Sequence, residues 1–209
     1  MRRLTSLYQP FTFDFNNSIS LAASLMQLKR NRVADVMKVL KSWCNGWATS
    51  YRYHEDIKLP CLFGCVNCAD SMHHYMQCPH LFALCKYLCP STSEDPLIRW
   101  GLRNCSSETY KQIACMYSGY HAVRRHFKNS GVSFIHNMMN IDGASLRTSW
   151  TVFVEAFCAE ARELNVHTVK FSVATFLHFL STGTCPNSSI ERPFEMGGLL
   201  PCRLQQAPD

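Results

Sequence analysis

The sequence predicts a mainly α-helical chain, and three observations predict it. Apolar residues recur at three- and four-residue steps through residues 31–53, 108–128 and 146–164, the spacing that lines one face of a helix. Clusters of turn-forming residues, such as Pro90 to Pro96, separate these segments. Between the first two lies PCLFGCVNCADSMHHYMQCPH, Pro60 to His80, which gathers Cys61, Cys65, Cys68 and Cys78 with His73, His74 and His80. Zinc takes four soft or borderline ligands in a tetrahedron, and short cysteine pairs followed by histidine and cysteine at helical spacing are its usual trace. The expected architecture is an irregular helical assembly with a small CCHC zinc-stapled turn between its helices.

Taken in order, residues 1–30 read as an N-terminal arm, rich in phenylalanine near Pro10, and a short helix over 18–28. A basic helical region, 31–130, contains the zinc site at 61–78. Its first helix is expected from Asn31 to Tyr53, with Val33, Val36, Met37, Leu40, Trp43, Trp47 and Tyr51 on one stripe. Pro60 ends any helix and leads into the cysteines. Pro79 can open a helix at its first position, and Ser107 can cap another running to about Lys128. Residues 131–164 comprise a linker and an amphipathic helix from Leu146 that turns Glu155, Glu160 and Glu163 outward. Residues 165–209 form a tail in which VHTVKFSVATFLHFL reads equally as a strand pair or a buried helix.

Composition narrows the class. The 209 residues are 47% hydrophobic and 17% charged, which excludes a disordered chain. Twelve cysteines in a chain of this length, several within apolar helical patterns, point to a reducing intracellular compartment, nucleus or cytoplasm, rather than to a disulfide scaffold. No long uncharged apolar run suggests a membrane span. Residues 1–128 carry 16 Lys and Arg against 8 Asp and Glu, a net of +8, whereas 129–209 carry 5 against 7, a net of −2. A basic half that holds the cysteine cluster suits a polyanionic partner.

Two ligand sets compete within the cluster. The first is Cys61 and Cys65, then His74 or, in reserve, His73, then Cys78; the second is Cys65, Cys68, His73 and Cys78, which has the spacing of a retroviral-type knuckle. Such a knuckle usually has glycines where this chain has Ala69 and Met72, whereas the first set has Gly64 inside its opening pair, where the chain must turn tightly. If Asp70 or Ser71 caps a short helix, His74 and Cys78 share a face; His73 and Cys78 diverge by roughly 140°. Backbone chemistry therefore prefers the first set and keeps the second as its rival.

Cys61-x3-Cys65, Asp70-Ser71-Met72-x-His74 and Cys78 resemble the CCHC motif that follows the polymerase domain in non-LTR (LINE-type) retrotransposon reverse transcriptases. The preceding KSWCNGWATSYRYHE is similar to the segment leading into that motif, and the resemblance covers roughly residues 30–130. In the family the gap from histidine to last cysteine is more often four, which would select His73. The resemblance implies a zinc ion and nucleic-acid binding, with RNA or DNA as partner and a polymerase or another protein as neighbour.

Residues suited to phosphate contacts are Arg30, Arg32, Lys38, Lys41, Arg52, Arg124, Arg125 and Lys128, which would give salt-dependent binding of low sequence specificity. Trp43, Trp47, Tyr51 and Tyr75 would stack on unpaired bases if exposed and fill the core if not. A polymerase needs an aspartate pair to hold magnesium, and the sequence has no Asp-Asp; no nuclease motif stands in its place. The expectation is a binding module without catalytic residues, a fragment or domesticated relic. The alternative is a structural or protein-interaction module stapled by zinc, with Cys85, Cys89, Cys105 and His80 as candidates for a second metal site.

Overall fold

The computed structural model describes residues 33–65, 67–103, 106–130 and 143–182, together with Met26. The N-terminal arm with Arg30 and Arg32, the linker at 131–142, the tail beyond 182 and Cys105 lie outside the described residues. The described chain is mainly helical, as expected, with no sheet. Among the described residues seven helices follow one another: α1 (Val33–Trp43), α2 (Met72–Tyr75), α3 (Pro79–Leu88), α4 (Pro96–Arg99), α5 (Ser107–Asn129), α6 (Gly143–Glu163) and α7 (Val173–Thr182).

The first helix is shorter than its periodicity predicts. It stops at Trp43, and Asn45 adopts a left-handed φ of 54°, a conformation that Asn accepts more readily than most residues. The turn drives Trp47 into the core, where its indole N–H donates to the hydroxyl of Ser42 at 2.9 Å. The buried face also differs from the predicted stripe. Asp35, Val39, Ser42 and Trp43 point inward, while Val33 and Met37 are exposed. A polar residue occupies this inner face because Lys38 bridges Asp35 at 3.1 Å and Glu160 of α6 at 2.6 Å. Glu160 thus turns inward, against the expectation of an outward acidic face.

The remaining helices start where capping chemistry allows. Pro79 is the first residue of α3, where its missing N–H costs nothing, and Asp95 caps α4 by accepting from the N–H of Leu97 at 2.8 Å. Ser106, one residue before the expected cap, accepts from the N–H of Thr109 to open α5. The ambiguous tail segment resolves into an irregular stretch, whose Val169 N–H donates to Leu88 at 2.9 Å, followed by α7.

The long helices α5 and α6 lie against each other, and α1 packs on α5. At Gly119 the approach is so close that a Cβ would sit 2.6 Å from the Phe153 ring. Beneath them Trp47, Tyr75, Trp100 and Tyr120 are fully buried in one aromatic cluster, Trp47 stacking on Tyr120 at a centroid distance of 4.5 Å. Full burial of such side chains stabilises by roughly 1.5–3 kcal/mol each, so Trp47 and Tyr75 are core residues and not stacking platforms. Trp43, also buried, donates to the carbonyl of Trp100 at 2.8 Å. No helix among the described residues is long and apolar enough to cross a membrane.

Candidate metal centre

An antiparallel bridge between Pro60 and Ala69 closes the cysteine-rich turn. Cys61 N–H donates to the Cys68 carbonyl at 2.7 Å, and Asp70 N–H to the Leu59 carbonyl at 2.8 Å. Inside the turn Gly64 takes a φ of 93°, the left-handed conformation its position between the cysteines predicted. A side chain there would also run into Leu146 of α6. Ser71 then caps α2, its hydroxyl accepting from the His74 N–H at 3.2 Å, so that His74 faces Cys78 at the start of α3.

The result is a buried group of Cys61, Cys65, His74 and Cys78 whose ligand atoms all lie within 4.8 Å of one another and can hold a metal ion. The sulfur of Cys78 is 3.7 Å from that of Cys61 and 3.5 Å from that of Cys65. Disulfide sulfurs are about 2.05 Å apart, so these are separate thiols. Sulfurs bound at about 2.3 Å to one tetrahedral zinc would be about 3.8 Å apart, close to the separations found. The rival set is not brought together: His73 is exposed, and the backbone carbonyl of Cys68 serves the bridge while its side chain stands outside the group.

The electrostatics also favour a cation. Burial pushes the thiols of Cys61 and Cys78 far up, while hydrogen bonds from Cys61 and Cys78, aided by His74 and His80, hold that of Cys65 far down. Ionising three thiols buried side by side needs a positive ion among them. Two backbone N–H groups already point at the ligand sulfurs, Phe63 to Cys61 at 3.4 Å and Leu81 to Cys78 at 3.3 Å. His80, on the first turn of α3, donates from Nδ1 to the Phe63 carbonyl at 2.9 Å, and its contact with the Cys65 sulfur raises its pKa. Such outer contacts orient ligands and tune their basicity.

Sequence reasoning considered Asp70 only as a cap. The residue is instead a fully buried carboxylate that accepts from Ser50 N–H at 2.6 Å, Tyr75 hydroxyl at 2.7 Å and Tyr120 hydroxyl at 2.9 Å. Its pKa is raised by burial, against the pull of these three donors. Since Tyr75 also accepts from the Leu62 N–H at 3.2 Å, the network reaches the metal-binding turn itself. The signal in the sequence was faint: Asp70 is the one carboxylate between Pro60 and His80.

The predicted phosphate-contact residues divide into two groups. Lys38 is held between Asp35 and Glu160, and Arg124 pairs with Glu55 and donates to the Ala48 carbonyl at 2.9 Å, so neither offers its charge to solvent. Both pairings have one cause: Glu160 and Glu55, distant in sequence, fold onto them. Lys41, Arg52, Arg125 and Lys128 are exposed and have no carboxylate partner among the described residues. Cys85 and Cys89 are buried, and burial raises both thiols, Cys89 to about 12; they form no second metal group among the described residues. No family model, curated protein or solved structure matches this chain.

Proposed function

We propose that this chain is a zinc-dependent nucleic-acid-binding module, similar to the region after the polymerase domain of non-LTR retrotransposon reverse transcriptases and lacking catalytic residues. The observation that carries the reading is the convergence of Cys61, Cys65, His74 and Cys78 within 4.8 Å. Three thiolates and an imidazole in a closed, buried set suit zinc over the hard cations, which take oxygen ligands. The ion would staple the turn before α2 to the start of α3. The three separate thiols accord with a reducing intracellular compartment, nucleus or cytoplasm.

The basic face is supported by Lys41, Arg52, Arg125 and Lys128, all exposed. RNA or DNA bound there would be held by phosphate contacts of low sequence specificity. A zinc assay and a salt titration of oligonucleotide retention on filters test the reading: one zinc per chain and retention that falls with salt are expected. Zinc without any retention would favour the second reading, a protein-interaction module with a polymerase or another protein as partner, for which the exposed Val33 and Met37 of α1 speak.

A further inference from the structure

The segment after Trp47 exposes two aromatic rings on a rigid base. Tyr51 and Tyr53 are each 56% exposed, in a chain that buries most of its other described aromatic side chains. Their backbone is not loose. Tyr53 N–H donates to Thr49 at 3.2 Å and Glu55 N–H to Ser50 at 3.1 Å, while the Ser50 hydroxyl accepts from Leu59 N–H at 3.0 Å and its own N–H is held by Asp70. Glu55, paired with Arg124, ties the far end of the turn to α5. Each ring has a cation beside it, Lys58 at 5.7 Å from the centroid of Tyr51 and Arg52 at 5.1 Å from that of Tyr53.

A second cationic group continues from this turn onto the helices. Lys41 lies 6.0 Å over the Tyr117 ring, which lies tilted against His121 at a centroid distance of 4.0 Å. Arg125 lines the same cavity of about 640 Å³ between α5 and α6 as Tyr117 and His121, whose α6 wall carries Glu160, paired with Lys38, and Glu163. Arg52 reaches this group through Gly46: its guanidinium donates to the Gly46 carbonyl at 3.5 Å, and Gly46 lies so close to Lys41 that a Cβ there would meet it at 2.8 Å. Arg52 thus belongs both to the tyrosine turn and to the basic group. Asp56 is an exposed carboxylate on the turn, whereas Glu55 is neutralised by Arg124.

Resting on the nucleic-acid reading, we infer that this surface selects single strands: Lys41, Arg52 and Arg125 track the phosphates while Tyr51 and Tyr53 stack on unpaired bases. Duplex DNA hides the faces of its bases, so exposed rings gain nothing from it. An unpaired strand offers a base face to each ring and a phosphate to each neighbouring cation. The rigid turn presents the rings already ordered, which lowers the entropic cost of binding.

Fluorescence anisotropy of the zinc-loaded full chain tests this with labelled oligo(dT), oligo(U) and a blunt duplex of equal length. Single strands are expected to bind more tightly than duplex. Tyr51→Ala and Tyr53→Ala should each weaken single-strand binding about tenfold, with Phe at either position restoring it and duplex binding unchanged. Lys41→Glu with Arg125→Glu should weaken both and flatten the salt dependence. Both tyrosines are exposed, so unchanged circular dichroism and zinc content show that the variants fold. Equal binding of single and double strands, or Ala variants that bind single strands like the parent, would overturn the inference while leaving the nucleic-acid reading intact. Absence of salt-sensitive binding to any of the three probes would overturn both.

Discussion

The hydroxyl of Tyr120 donates to the Asp70 carboxylate across 2.9 Å, tying the middle of α5 to the residue that precedes the cap of α2. Through this bond the metal-binding turn and the helical core become one unit. Tyr120→Phe removes one donor from a buried carboxylate whose other donors remain, and should destabilise the protein by about 1–3 kcal/mol. Urea denaturation measures it. A double-mutant cycle with Tyr75→Phe should show coupling, since both hydroxyls serve Asp70 Oδ1.

Metal binding should follow the four clustered residues and no others. Native mass spectrometry is expected to find one zinc in the parent, in His73→Ala and in Cys68→Ser, and none retained by Cys78→Ala or His74→Ala. Loss of zinc from His73→Ala with retention in His74→Ala would reverse the ligand assignment. Chelation of the ion should release thiols to a colorimetric reagent and abolish cooperative unfolding of the turn, because binding free energy and folding free energy are linked at such sites.

His121 sets an acid limit. Burial, reinforced by Lys41, Arg125 and Arg52, lowers its pKa to about 4, and its Nε2 is buried without a hydrogen-bond partner among the described residues. The unfolded chain takes up this proton near the ordinary histidine value of about 6.5, the folded chain only near 4. Its contribution to stability is therefore complete above pH 6.5 and is lost as pH falls toward 4. Denaturation curves between pH 7 and pH 5 should show this slope in the parent and a shallower one in His121→Gln, whose zinc site is unaltered.

Gly119→Ala tests the contact between the two long helices. The new Cβ would lie 2.6 Å from two carbons of the Phe153 ring, itself fully buried, so the helices must separate or the ring must leave its rotamer. Overpacking of this kind costs typically about 1–3 kcal/mol. A lowered Tm without loss of zinc is expected. An unchanged Tm would show that α5 and α6 are not so closely packed at this point.

Much of the fold was legible in the sequence because it rests on local chemistry. Pro79 opens α3 as its missing N–H requires, Gly64 takes the positive φ that favoured the Cys61–Cys65 pair, and His74 and Cys78 come together as their helical spacing indicates. The end of α1 was not legible. Asn45 stops the helix where apolar spacing continues through Trp47, and periodicity has no means of recording a turn that sends the next tryptophan inward.

What the sequence determined by itself, then, is a mainly helical chain with a group of metal ligands between its first and second long periodic segments. Only tertiary structure decided which charges and rings face solvent. Lys38 and Arg124 carry the same charge as Lys41 and Arg125, yet the first pair is neutralised by Glu160 and Glu55, residues far away along the chain. Trp47 and Tyr51 lie four residues apart on the predicted stripe, and one is buried while the other is exposed. Helical spacing records short-range geometry; ion pairing and burial depend on which distant segments come together, and folding alone settles that.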